Sequence, residues 1–203
     1  MKYKAIGFDY GGVIFGRSSM AFNDGAAAIF NVESDKLLKV YFQNNNRLNL
    51  GEMTWEELWK HIAVELNCAD KQEAIMEFIV RWGRDQKLNL DVVELIKVLK
   101  TAGYKIGLLS NYNSGLHQML EEQKIDNYFD VVGISSEMGV MKPNVEAFSS
   151  FCNMLNVQPD ELVYIDDTPK SLETSGDVGY TPILFQNFDK LYQDLKNLNI
   201  VLE

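Results

Sequence analysis

Polar side chains that can take part in chemistry follow four apolar segments of this 203-residue chain. In chain order they are an acid, a hydroxyl with a neighbouring amide, an ammonium and a pair of acids: Asp9, Ser110, Asn111, Lys142, Asp166 and Asp167. Carboxylates can attack an electrophile or bind a hard cation, and the other groups can stabilise developing negative charge. Each residue alone is equally explained as a turn, cap or solvated surface residue.

The apolar segments predict the scaffold that gathers these groups. Nearly continuous apolar runs indicate buried parallel strands at 3–9, 104–111, 129–136, 162–167 and 181–185. Helical patterns lie between them at 90–103, 143–157 and 168–180. Gly103 is the expected end of the first of these helices, and Pro143 is expected at the first helical position of the second. The alternation predicts an α/β fold, a Rossmann-like parallel sheet flanked by helices. Ligands bind at the carboxyl ends of such strands, where the polar groups would meet.

One long segment interrupts this alternation. Residues 15–86 show only helical patterns, at 34–51, 53–67 and 70–83. Thr54 and Glu57 predict a capping box at the start of the second pattern. Because the segment is too long for an ordinary crossover, it predicts a small all-helical domain inserted after the first strand. The α/β core would then comprise residues 1–14 and 87–203.

Composition excludes several classes of function. The net charge of −10 argues against nucleic acid as a partner, because that binding requires clustered Lys and Arg. No apolar run approaches a membrane span and none resembles a signal peptide, so we expect no membrane association and a cytoplasmic location. Cys68 and Cys152 are isolated and suggest neither a disulfide framework nor a zinc site.

The four polar clusters together resemble the motifs of the haloacid dehalogenase superfamily, most of whose members are magnesium-dependent phosphatases. The matching segments are GFDYGGVIF, IGLLSN, MGVMKP and LVYIDDTPKSLETSGDVGY, in that order. Each motif is weak alone, but four in order at successive strand ends form a specific set. The helical insert lies where this family carries a small mobile cap, so the resemblance covers essentially the whole chain.

The resemblance implies a role for each of these residues. Asp9 would be the nucleophile, and Ser110 and Lys142 would complete the catalytic group. The backbone amides of Tyr10 and Asn111 would join Ser110 and Lys142 in binding the phosphoryl oxygens. Mg²⁺ would be the cofactor, and its expected ligands are Asp9, the backbone carbonyl of Gly11, Asp167 and, directly or through water, Asp166.

The resemblance also implies the kind of substrate. We expect a small phosphorylated metabolite and a monomeric or homodimeric protein. The substrate is expected to meet residues of or beside the cap, for which the candidates are Arg17, Arg47 and Trp55.

Gly11 departs from the family pattern, which usually has a second aspartate two residues after the nucleophile. That aspartate protonates the leaving group and then activates water, and a glycine can do neither. Three hypotheses remain open: a phosphatase that needs no such acid, a dehalogenase that expels halide, or a protein that binds a ligand or partner with little turnover. The acid pair Asp166–Asp167 favours the phosphatase over the dehalogenase.

Overall fold

A five-stranded parallel sheet forms the centre of the molecule. In the computed structural model, which describes residues 2–16 and 19–201, the spatial order of the strands is β3-β2-β1-β4-β5. The strands are β1 Ala5–Phe8, β2 Lys105–Ser110, β3 Val131–Ile134, β4 Leu162–Asp166 and β5 Thr181–Leu184. All five predicted strands are present, each shortened by one or two residues at one or both ends. The predicted α/β class with a Rossmann-like parallel sheet is therefore confirmed.

The sheet brings the polar residues together through its register. β1 is central, and Phe8 lies opposite Leu108 of β2 and Ile165 of β4. Asp9, the residue after β1, therefore lies beside the carboxyl ends of β2 and β4 at one edge of the sheet. Asp9 continues this register, since its N–H donates to the carbonyl of Ile165 at 2.8 Å.

Helices cover both faces of the sheet. They are α6 Leu90–Thr101, α7 Gly115–Glu122, α8 Ser135–Met138, α9 Val145–Leu155, α10 Ser175–Val178 and α11 Phe188–Asn197. Side chains alternate along β4, so Val163 and Ile165 face one apolar cluster while Leu162 and Tyr164 face another. Burial on both faces explains the nearly continuous apolar runs of the strands.

Two details of the helices differ from expectation. Pro143 does not begin a helix: Asn144 is the N-cap of α9, and Pro143 lies before it. The single helix predicted over 168–180 is broken into a 3₁₀ turn, Pro169–Leu172, and the short α10. Gly179, at a φ of 101°, ends α10 because a residue without Cβ takes that conformation most readily. Gly103 follows α6 in the same way, as predicted.

The segment between β1 and α6 folds as helices with an apolar core of its own. Its helices are α1 Ser19–Phe30, α2 Ser34–Asn44, α3 Asn46–Asn49, α4 Trp55–Glu65 and α5 Gln72–Arg84, with a 3₁₀ turn at Ala69–Lys71. The fully buried Trp59 lies in this second core, which shares no buried residue with the cores beside the sheet. The capping box of Thr54 and Glu57 is present at the start of α4.

The first of these helices, α1, was not among the predicted patterns. Half of its apolar residues are alanines, whose small side chains produce a weak periodic signal. Among the described residues, no helix is both long and apolar enough to cross a bilayer.

Candidate active site

The buried Lys142 ammonium joins two of the predicted carboxylates. Its Nζ lies 2.9 Å from Asp9 Oδ1 and 2.5 Å from Asp166 Oδ2, and all three residues are less than a tenth exposed. Lys142 donates a hydrogen bond to Asp166, whereas its ion pair with Asp9 Oδ1 lacks full hydrogen-bond alignment. Low dielectric strengthens both attractions, so the ammonium fixes the positions of the two carboxylates.

Tyr164, which the sequence did not single out, and Asn111, which it did, hold Lys142 in place. Its Nζ donates to the Tyr164 hydroxyl at 2.8 Å, and this hydroxyl donates to the carbonyl of Leu109 at 2.6 Å. The Asn111 side chain spans the Lys142 backbone, donating to its carbonyl and accepting from its N–H at 2.9 and 2.8 Å. Strand alternation contained a signal for Tyr164, because residues two apart share a face and Asp166 follows at that spacing.

Burial and charge act in opposite directions on these groups. Burial alone would lower the pKa of Lys142, but the neighbouring carboxylates of Asp166 and Asp9 raise it above its usual value. Burial raises the pKa of Asp166 despite the opposing effect of Lys142, and the negative charge of Asp9 raises it further. One ammonium therefore does not balance the negative charge of the cluster.

Asp167 completes a cluster of three buried acids. Asp9, Asp166 and Asp167 each offer a carboxylate oxygen, and these oxygens lie within 4.8 Å of one another. Thr168 orients both later acids, donating from its N–H to Asp166 at 2.8 Å and from its hydroxyl to Asp167 at 3.2 Å. An all-oxygen donor set with excess negative charge is the kind of site that binds Mg²⁺.

Gly12 makes room for this cluster. A Cβ at Gly12 would lie 2.4 Å from Asp167 Oδ2, and its φ of 75° disfavours any other residue. At Gly11, by contrast, a Cβ would meet no atom within 4 Å. The second glycine of the YGG sequence is therefore required by packing, whereas the first faces open space.

The remaining predicted residues lie around the same point. Ser110, Asn111, Tyr10 and Gly11 line a cavity of about 440 Å³ together with Asp9 and Lys142. The Tyr10 ring points away from the acids, stacking on Phe15 at 5.3 Å and exchanging hydrogen bonds with Gln123. Any contact of Tyr10 with substrate oxygens would therefore come from its backbone.

The insert helices α1–α5 form the opposite wall of this cavity. Trp55, one of the three substrate candidates, lines it. Arg47 does not line it: this side chain is largely exposed, with its Nε 3.8 Å from Glu52. Arg17 lies outside the described residues.

Comparison with known proteins assigns the family. A sequence model of the haloacid dehalogenase-like hydrolases matches residues 3–174, most of the chain. The chain belongs to the haloacid dehalogenase-like hydrolase family. The resemblance inferred from the four motifs is thus confirmed.

Curated members of the family that resemble this chain have different named activities. A flavin mononucleotide hydrolase of Arabidopsis thaliana is 27% identical over 53% of this chain and 44% of its own length. The (S)-2-haloacid dehalogenase 4A of Burkholderia cepacia is 28% identical over 46% of this chain and 41% of its own. A glyceraldehyde 3-phosphate phosphatase of Methanopyrus kandleri is 31% identical over 54% and 47%. The chain spans less than half the length of these relatives.

Solved structures support the fold across nearly the whole chain. A phosphatase of this family from Thermococcus onnurineus superposes with a TM-score of 0.63 at 18% identity, covering 98% of this chain and all of that one. A predicted hydrolase of the family from Porphyromonas gingivalis gives 0.64 at 20% identity and 98% coverage of both. At these identities the likeness concerns the fold alone.

Proposed function

We propose that this chain is a Mg²⁺-dependent phosphatase that releases phosphate from a small phosphorylated metabolite through an aspartyl-phosphate on Asp9. The buried cluster of Asp9, Asp166 and Asp167 beside the Lys142 ammonium carries this proposal. The named phosphatases among the relatives support the same reaction class.

The residues present fit the metal. Asp9, Asp167 and the carbonyl of Gly11 would hold Mg²⁺, with Asp166 binding directly or through water. When bound, Mg²⁺ supplies positive charge that offsets the repulsion between a carboxylate and a phosphoryl group. The two positive charges of Mg²⁺ and the one of Lys142 would together neutralise the three carboxylates.

The chain's own groups would perform the two displacements. A carboxylate oxygen of Asp9 attacks phosphorus, and the ester bond breaks as the leaving oxygen takes its electron pair. Ser110 and the amides of Tyr10 and Asn111 donate hydrogen bonds to the phosphoryl oxygens, while Lys142 balances charge and fixes Asp9. Water then cleaves the acyl phosphate, which yields inorganic phosphate and restores the carboxylate.

Because residue 11 is a glycine, it has no side chain that could protonate the leaving group. Among the described residues that line the cavity, the charged side chains are Asp9 and Lys142, and no histidine is present. Esters with acidic leaving groups should therefore react fastest, because they depart without a proton.

We also propose that residues 15–86 act as the cap over a core formed by 1–14 and 87–203. A cavity that these helices line on one side suits a small metabolite better than a protein surface. Within this proposal the protein is cytoplasmic, binds neither nucleic acid nor membrane, and is a monomer or homodimer.

The decisive experiment compares Asp9→Asn with wild type on 4-nitrophenyl phosphate. Wild type should release phosphate with Mg²⁺ and lose this activity in EDTA, and Asp9→Asn should lose it under all conditions. Asp189→Asn removes an exposed charge from α11 and serves as the matched control. Full activity of Asp9→Asn would refute the mechanism.

A second candidate is release of halide from a 2-haloacid. The Burkholderia relative and Gly11 both favour it, since halide leaves without a proton. Halide release that persists in EDTA, without phosphate release from esters, would establish this reaction instead. The oxygen cluster around Asp167 is unnecessary for that chemistry, which is why we rank it second.

A further inference from the structure

We propose that the leaving group of the substrate is uncharged and carries a planar aromatic ring that packs against Trp55. This inference rests on the proposed phosphatase function and names its substrate class. It follows from the side chains that form the cavity wall facing Asp9.

Aromatic rings from the insert form much of that wall. Phe22, Tyr41, Trp55 and Trp82 line the cavity, and Tyr112 faces them from the core side. Trp55 stacks on Phe22 with centroids 5.8 Å apart and planes at 17°, yet 41% of its surface stays exposed. An aromatic side chain that is held in place with free surface toward a cavity offers a stacking partner to a planar ligand.

The cavity has no partner for a second negative charge among its described residues. Its charged side chains are Asp9 and Lys142, and the ammonium is already paired with Asp9 and Asp166. A carboxylate or second phosphate buried against the aromatic wall would lose water without gaining a cation. The described residues that line this cavity therefore favour an uncharged leaving group.

A second chamber adjoins the inner cavity, which is the one that Asp9 lines. It holds about 520 Å³ and shares Tyr41, Asn49, Trp55, Asn111 and Tyr112 with the inner cavity. Among its described lining residues the charged side chains are Glu52 and Glu57, both acids. A substrate that reaches past Trp55 thus meets negative charge, which again favours an uncharged leaving group.

Neutral hydrogen-bonding groups accompany the rings. Asn23, Asn45 and Asn49 are buried and line the inner cavity. Amides both donate and accept, so they suit the hydroxyl, carbonyl or ring nitrogen of a neutral heterocycle. The combination of rings and amides is typical of pockets that bind flat, uncharged organic groups.

The first test compares three esters on the wild-type protein with Mg²⁺. Phenyl and 2-naphthyl phosphate have leaving groups of similar acidity but different ring area, and 4-carboxyphenyl phosphate adds a negative charge. We expect kcat/KM for the naphthyl ester to exceed that for the phenyl ester by about tenfold, as an added aromatic contact allows. The carboxylated ester should be the poorest of the three.

The second test uses variants of α4. Trp55→Ala should remove the naphthyl preference, and Trp55→Phe should restore most of it by supplying a smaller ring. Val64→Ala removes apolar surface from an exposed position of the same helix and should keep the wild-type ratio. Thermal unfolding of each variant checks that the insert remains folded.

A third test measures binding of compounds that the protein cannot hydrolyse. Calorimetric titration with 2-naphthylmethylphosphonate and with methylphosphonate, each with Mg²⁺, should show tighter binding of the aromatic compound. Equal affinities, or equal kcat/KM for the phenyl and naphthyl esters, would overturn the inference while leaving Asp9-dependent phosphate release intact. Absence of phosphate release from every ester would instead overturn the proposed function, and the titration would still decide the ring preference.

Discussion

At the scale of single residues, the site depends on how one lysine is held. Tyr164 accepts from Lys142 and donates to a backbone carbonyl, so Tyr164→Phe would remove one hydrogen bond from the buried ammonium and one from the carbonyl of Leu109. We predict a loss of about 1–2 kcal/mol in the free energy of unfolding and a fall in kcat of about tenfold. Tyr104→Phe also removes a buried hydroxyl, one bonded to the N–H of Val201, and should cost stability without lowering kcat. Equal effects of both variants on kcat would contradict a positioning role.

The two glycines after Asp9 should tolerate alanine to different degrees. Gly12→Ala places a methyl group against the Asp167 carboxylate on backbone that disfavours a side chain, and should abolish metal-dependent activity. Gly11→Ala meets open space and should retain far more activity. Steady-state rates over a range of Mg²⁺ concentrations measure the difference. If Gly12→Ala is as active as wild type at every Mg²⁺ concentration, the position of Asp167 does not depend on a glycine at residue 12.

The open space at Gly11 also predicts a gain of function. Gly11→Asp introduces a carboxyl where the family usually has its acid, and no atom lies within 4 Å of the new Cβ. Turnover of alkyl phosphates should rise by about 10²-fold, and that of 4-nitrophenyl phosphate should rise much less. Gly11→Asn, of the same shape without the proton, should give no such gain. Equal increases for both ester classes would contradict the missing-acid explanation.

At the scale of elements, α4 links a helix cap to the substrate contact that we propose for Trp55. Thr54 accepts from the N–H of Glu57, whose carboxylate accepts from Thr54 in return, and Trp55 is the next residue. Thr54→Ala should destabilise α4 by about 1 kcal/mol and loosen Trp55 with it. Hydrogen exchange should quicken in α4 while β1 and β2 keep their protection. Thr101→Ala, which removes an exposed hydroxyl bonded within α6, should leave α4 unaffected.

At the scale of the whole molecule, the buried acids should make stability depend on metal. Three clustered carboxylates and one ammonium leave excess negative charge in the interior of an acidic protein. Mg²⁺ that binds only the folded state should add about 2.7 kcal/mol at a hundredfold excess over its Kd. Thermal unfolding with Mg²⁺ and with EDTA measures this effect, which Asp167→Asn should reduce. A melting temperature unaffected by Mg²⁺ would count against the metal site.

Local patterns in the sequence determined the sheet, most of the helices and the residues at its edge. Apolar runs mark strands because a parallel sheet buries both faces, and the end of each run marks the edge where Asp9, Ser110 and Asp166 lie. Pro143 and the 168–180 segment were placed wrongly, since helix boundaries depend on cap geometry that composition only suggests.

Only the tertiary structure decided what surrounds those residues. Three features join residues that are distant in sequence. Tyr164 and Asn111 support Lys142, and Gly12 fits against Asp167. Trp55 lies at the wall of the cavity that contains Asp9. Such contacts leave no local periodicity, because packing between separate elements sets them. The sequence by itself thus determined the family and the residues that we propose react, and the folded molecule determined how they are held and what faces them.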